Sequence, residues 1–207
     1  MENLNQIVHT IAMSMGLAWA SGINLYAAML VLGLLGASGN ILLPSALLPL
    51  AHPLVITASG IMYFVEFFAD KMPGVDTGWD TLHTFIRIPA GAILAASAVG
   101  DMDPALAVAA GIMGGTLSAG SHALKAGSRL IINTSPEPFS NWAASIGEDV
   151  AVVAGLWTAL QYPFVFIIFL ILFILLLIWA LPKIWYMIKT LFQRIADLFR
   201  SKKGESA

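Results

Sequence analysis

Long apolar runs separated by short polar or breaker-rich links organise this chain. Six of them approach the length that a membrane-spanning helix needs, about 17–25 residues. The clearest is Phe164–Leu181, eighteen uncharged and almost wholly aliphatic or aromatic residues, followed by Pro182 and Lys183. At about 1.5 Å per residue it covers roughly 27 Å, close to one hydrocarbon core. The first run, Val8–Leu35, is interrupted by the polar, flexible patch Ser21, Gly22 and Asn24, which suits either a tilted span or a helix broken at that patch. The second is Leu54–Ala69, with Glu66 near its end. The third is the weakest, because Ile88–Val99 reaches span length only if Leu82–Arg87 belongs to it. The fourth is Ala105–Ala123, and the fifth, Trp142–Leu160, contains Glu148 and Asp149.

Composition agrees with that pattern. Hydrophobic residues make up 58% of the 207 and charged residues only 11%, where a soluble domain carries about 25% charged residues. Mean hydropathy is +0.84. Such a chain has too little polar surface for water, and the lipid bilayer is its expected surrounding. A net charge of −2 with ten scattered cations leaves no basic tract for nucleic acid. The absence of Cys removes disulfides, thiolate nucleophiles and Cys-bound metals. Met1–Thr10 has no Lys or Arg, so the first apolar run is expected to stay in the membrane rather than be cleaved as a signal peptide.

Charge placement predicts the topology. With both termini in the cytoplasm and six crossings, Lys71, Arg87, Lys125, Arg129 and the six tail cations all fall on or toward the cytoplasmic side of an inner membrane. The connections assigned outside, Gly36–Pro53, Gly100–Pro104 and Gln161–Pro163, hold no Lys or Arg. The expected class is thus an all-α, polytopic membrane protein with six transmembrane helices in one domain, 1–182. Three segments precede Pro104 and three follow, so halves 8–103 and 104–182 would be inverted repeats if related. One echo links them: Asp80, His83 and Arg87 share the i, i+3, i+7 spacing of His122, Lys125 and Arg129, each trio on one helical face. Beyond Pro182, apolar Ile184, Met187, Ile188, Leu191, Ile195 and Leu198 recur at helical spacing opposite Lys189, Arg194 and Asp197. That predicts a C-terminal amphipathic helix over 183–200 at the cytoplasmic interface, with 201–207 disordered. A continuation of the sixth helix is the alternative. Ala107, Gly111, Gly115 and Ala119 form a small-residue row suited to close helix packing.

Charged groups at membrane depth are costly unless they are paired or face a cavity, which makes them candidates for function. The densest stretch is EFFADKMPGVDTGWDTLHTFIRIPAG, residues 66–91, with Glu66 and Asp70 one helical turn apart, a break at Pro73 and Gly74, then Asp76, Asp80, His83 and Arg87. His122, Lys125 and Arg129 form a second cluster. The link NTSPEPFSN adds Glu137 and Asn141, and Glu148 and Asp149 lie inside the fifth segment. Together with Asn24, these are the candidate substrate- or ion-binding residues. Carboxylates with His and Asn suit Na⁺, H⁺ or a hard divalent cation. Arg87, Lys125 and Arg129 suit an anionic lipid or small anionic substrate. The competing expectation is plain structural pairing, Arg87 or Arg129 with Glu66 or Glu148. Zn on His83 and His122 is the weakest chemistry, and no hydrolase or nucleotide-binding motif is present.

SGINLY (Ser21–Tyr26), the 66–91 stretch, and NTSPEPFSNW (Asn133–Trp142) with Glu148–Asp149 resemble a family of small bacterial membrane proteins catalogued as domain of unknown function 4126. The resemblance spans residues 10–160 and implies membrane residence, but it carries no reaction or substrate. Family-like positions are Asn24, Glu66, Asp70, Lys71, Asp76, Asp80, His83, Arg87, Lys125, Glu137, Asn141, Glu148 and Asp149. The leading functional expectation is a small cation- or proton-coupled transporter for an anionic metabolite or lipid head group. Its rivals are a non-catalytic membrane assembly or stress-response protein, and a membrane enzyme acting on a phosphorylated lipid with His83 or His122 as general base. Assembly as a homo-oligomer is a further expectation.

Overall fold

A computed structural model describes residues 2–72, 74–100, 102–134 and 139–204. All regular structure among them is helical: α1 (Glu2–Ala37), a short 3-10 helix (Ser45–Ala51), α2 (Pro53–Ala69), α3 (Val75–Ala98), α4 (Pro104–Ile132), α5 (Phe139–Gln161) and α6 (Pro163–Gly204). Each of the six apolar runs thus falls on one α-helix, the third passing the end of α3 by the single residue Val99. Among the described residues, four helices are long and apolar enough to cross a membrane: α1, α4, α5 and α6 through Thr190. A fifth crossing arises if the 3-10 helix and α2, bent by 66°, count as one broken span. The third segment, already the weakest in the sequence, forms α3, whose length is ample but whose Asp76, Asp80 and Arg87 dilute its hydropathy.

Two helix starts carry side-chain caps, whereas Asp80, which could have opened the third helix, lies inside α3. His52 and Asp103 accept hydrogen bonds from the amides of Leu54 (3.2 Å) and Ala105 (2.7 Å), each ahead of a first-turn proline. Gly74, at φ +86°, opens α3 in a conformation that side-chain-bearing residues rarely adopt; its neighbour Pro73 lies outside the described residues. In α6 the chain passes through Pro182 without a break in the assigned helix. The stretch expected as a separate interfacial helix is therefore helical as a continuation of α6. The assigned helix extends to Gly204, and 205–207, the end of the expected tail, lie outside the described residues.

α1 is the central helix. Ala12, Leu17, Ala18, Ala20, Ala28 and Leu32 are buried along its length, and it packs against every other helix. Trp19 meets Phe166, Phe169 and Phe173 of α6 edge-on, with ring centroids 5.2–6.3 Å apart. α1, α3 and α4 approach closely because small residues line the seam. A Cβ at Gly22 would collide with the Ser121 hydroxyl and the Ser118 carbonyl, and one at Gly114 with Ala95. The expected row bears this out, since Gly111 and Gly115 lie against Ala92 and Ala96 of α3.

The outer surface is apolar: Ile168, Leu172 and Ile178 of α6 and Phe64 and Phe68 of α2 are exposed. The sealed interior holds charge. That inversion of the water-soluble arrangement is what a bilayer surrounding demands.

Candidate functional site

The break anticipated in the first segment is present. Asn24 leaves helical geometry (φ −147°, ψ 97°) midway along α1. Its side-chain oxygen accepts from the Ala27 amide at 2.9 Å, in the manner of an N-cap, and its amide donates to Asp149 Oδ1 at 3.0 Å. The Ile23 carbonyl on the other side of the break accepts from Lys125 Nζ at 3.1 Å.

Lys125 sits at the middle of a buried cluster. Its ammonium is 2.8 Å from Asp70 Oδ2, 3.4 Å from Glu66 Oε1, 3.5 Å from Glu148 Oε2 and 3.8 Å from Asp80 Oδ1. Arg87 donates to Glu66 at 2.5 Å and to Asp80 at 3.0 Å. Arg129 takes Glu148 in a two-pronged pair, Nε to Oε1 at 3.1 Å and a terminal nitrogen to Oε2 at 2.7 Å. It also donates to the Asp70 carbonyl and to the backbone and side-chain oxygens of Asn141. The two trios with matching spacing face one another across α3 and α4, joined by Arg87 to His122 Nδ1 at 3.2 Å.

Charge does not balance in this cluster. Among the described residues in ion-pair contact, four carboxylates, Glu66, Asp70, Asp80 and Glu148, meet three cations, Arg87, Lys125 and Arg129; Lys71 acts on Asp70 only from outside that contact distance. Glu66 Oε2, Asp70 Oδ1 and Asp80 Oδ2 are sealed from solvent without a hydrogen-bond partner. A low-dielectric interior penalises both the surplus charge and the empty acceptors.

Other expected site residues have separate tasks. Both Asp76 oxygens are occupied: Oδ1 accepts from the amides of Gly74 and Thr77, and Asn133 donates to both oxygens at 2.8–2.9 Å. Asp76 therefore ties the start of α3 to the end of α4. His83 is stacked on Trp79, with one ring nitrogen at the Trp79 carbonyl and the other 3.1 Å from the Tyr26 hydroxyl. His122 Nδ1 must accept from Arg87, since a guanidinium cannot, which leaves Nε2 to donate to Thr84 at 2.7 Å. Both ring nitrogens of each histidine thus have a hydrogen-bond partner. Among the described residues, no three His, Asp or Glu side chains are placed to hold a metal ion. Glu137 lies outside the described residues.

Sequence reasoning did not single out Tyr26, Thr84 or Ser118. Ser21 and Ser118 both donate to the Arg87 carbonyl, at 3.0 and 2.9 Å, and so anchor the helix that carries the guanidinium. Tyr26 had a signal, its place in SGINLY; Ser118 had only its small size. Lys71, between α2 and α3, lies 2.9 Å above the Phe67 ring and donates to Ser145 at 3.4 Å. Burial is the largest influence on it and lowers its pKa below the ordinary lysine value, against the raising effect of Asp149 and Asp70.

No curated protein and no solved structure matches this chain. One family model does, over residues 11–183, which takes the likeness beyond the polar motifs and through the apolar part of α6. The chain therefore belongs to the family described as Domain of unknown function (DUF4126).

Proposed function

We propose that this protein is a small proton- or cation-coupled membrane transporter whose coupling group is the cluster around Lys125. The observation that carries the reading is the surplus of one carboxylate over the buried cations, with empty acceptor atoms on Glu66, Asp70 and Asp80. One proton or one monovalent cation neutralises the cluster, and a group whose neutrality depends on an exchangeable ion is a coupling site. The break in α1 at Asn24 supports the same reading, since discontinuous helices supply backbone groups and hinges at transport sites.

In this proposal all six long helices cross the cytoplasmic (inner) membrane, α3 with its charges turned inward, and both termini lie in the cytoplasm. The three-helix halves are inverted repeats. An anionic metabolite or lipid head group as cargo requires Arg87 or Arg129 to be released from Glu66 or Glu148, because both are occupied at rest. Anionic lipid contacts then fall to the basic end of α6, and homo-oligomerisation to the outer apolar faces.

Charge displacement on a supported membrane tests the reading. Purified wild-type protein is expected to give a transient displacement when pH or Na⁺ is stepped, and folded Glu66→Gln none. Absence of displacement for either ion in folded wild-type protein would overturn the transport reading. It would leave a non-catalytic assembly protein in which the ion pairs lock the helices.

A further inference from the structure

We infer that the cleft between α1, α2 and α5 is a binding site for an amphiphilic organic cation, with Asp149 as its counter-ion. The cleft measures about 630 Å³ and is walled by Val31, Leu35, Tyr63, Val153 and Trp157, with Asp149 among them. Sites for small organic molecules occupy roughly 300–1,000 Å³. Walls of this kind select an apolar body, and aromatic faces such as those of Tyr63 and Trp157 also attract a cation.

Charge decides the class of ligand. Glu66, Asp70, Asp80 and Glu148 each meet a basic side chain. Asp149 makes no ion pair among the described residues, although it lies within a helix apolar enough to span a membrane. Its Oδ1 accepts from Asn24 at 3.0 Å, and the Tyr63 hydroxyl stands beside the carboxyl as a second donor, so it is an opposite charge and not a hydrogen bond that the group lacks among the described residues. A carboxylate in an apolar wall with neutral donors and no ion pair gains most from an ammonium group, which supplies the opposite charge. An anionic lipid head group would meet repulsion at the same place.

The cleft is also connected to the charge cluster. Asn24 holds Asp149 with one end of its side chain and caps the second half of α1 with the other, while the carbonyl just before the break receives Lys125. A cation that draws Asp149 away from Asn24 therefore alters the break beside Lys125. The site stands apart from the transport reading, in which the cargo is anionic.

The test uses 2-phenylethylammonium, its neutral isostere n-propylbenzene, and the anion 3-phenylpropionate, with full-length protein in lipid nanodiscs. Thermal unfolding and tryptophan emission are read together. The expected result is saturable stabilisation by 2-phenylethylammonium alone, weakened at least tenfold in Asp149→Asn. Val153→Trp fills the cleft from an outward-facing position with Asp149 intact, and is expected to abolish binding even if Asp149→Asn does not fold. Equal stabilisation by n-propylbenzene would reduce the cleft to an apolar or acyl-chain pocket, and preference for 3-phenylpropionate would invert its charge class. Either result, or undiminished binding in both variants, overturns the inference. Ion-driven charge displacement without 2-phenylethylammonium binding removes the cleft alone. Binding without charge displacement removes transport and keeps the site.

Discussion

Trp19 and Ile23 lie one helical turn apart on α1, yet the packing around them follows opposite rules. Around Trp19, three phenylalanines of α6 meet the indole edge-on, and no charged partner is involved. Around Ile23, a carbonyl freed by the break meets Lys125, and beyond it lie four carboxylates and two arginines. The aromatic junction depends on shape, since lipid is as apolar as the phenylalanines and transfer from water contributes nothing once the helices are inserted. The charged junction depends on counting: each partner removed leaves an opposite charge with nowhere to go.

Lys125→Met should break that comparison most strongly. It leaves four carboxylates facing two arginines, and unfolding in detergent is expected to show a loss of about 3–5 kcal/mol, the usual cost of stripping one member from a buried ion network. Phe166→Ala, at the aromatic junction, should cost about 2 kcal/mol, below the roughly 3–5 typical of such truncations in water-soluble cores, because only packing is lost. A larger loss for Phe166→Ala than for Lys125→Met would show that shape, and not charge balance, dominates this interior.

Glu66→Gln should have the smallest effect, within about 1 kcal/mol, since it removes the surplus charge while Arg87 keeps Asp80. The same change combined with Lys125→Met should recover part of the lost stability, a coupling that a double-mutant cycle measures directly. Strict additivity of the two would mean that Glu66 and Lys125 do not share one charge balance.

Much of the site could be read in advance because helical spacing is a local property. The faces Asp80–His83–Arg87 and His122–Lys125–Arg129 follow from a period of 3.6 residues, and the pairing of Arg87 with Glu66 and of Arg129 with Glu148 was among the expected alternatives. The Ser21–Asn24 patch likewise announced a break in the first segment. The role of Asp76 could not be read that way. Its partners Asn133 and Asn141 lie 57 and 65 residues away, so its isolation from the ion pairs depends on how α3, α4 and α5 meet. Lys125 looked like one cation among three, and its central place comes from α4 crossing α1 at the break.

Residence in a membrane, all-helical structure and the positions of the six long helices follow from apolar run length and breaker placement, which act within a few residues of one another. Which charges neutralise which, the surplus of one carboxylate, and the absence of an ion pair at Asp149 among the described residues belong to the tertiary arrangement alone. Charge balance is a sum over groups brought together by packing, and residues 66, 125 and 148 enter the same sum only after the helices that carry them have met.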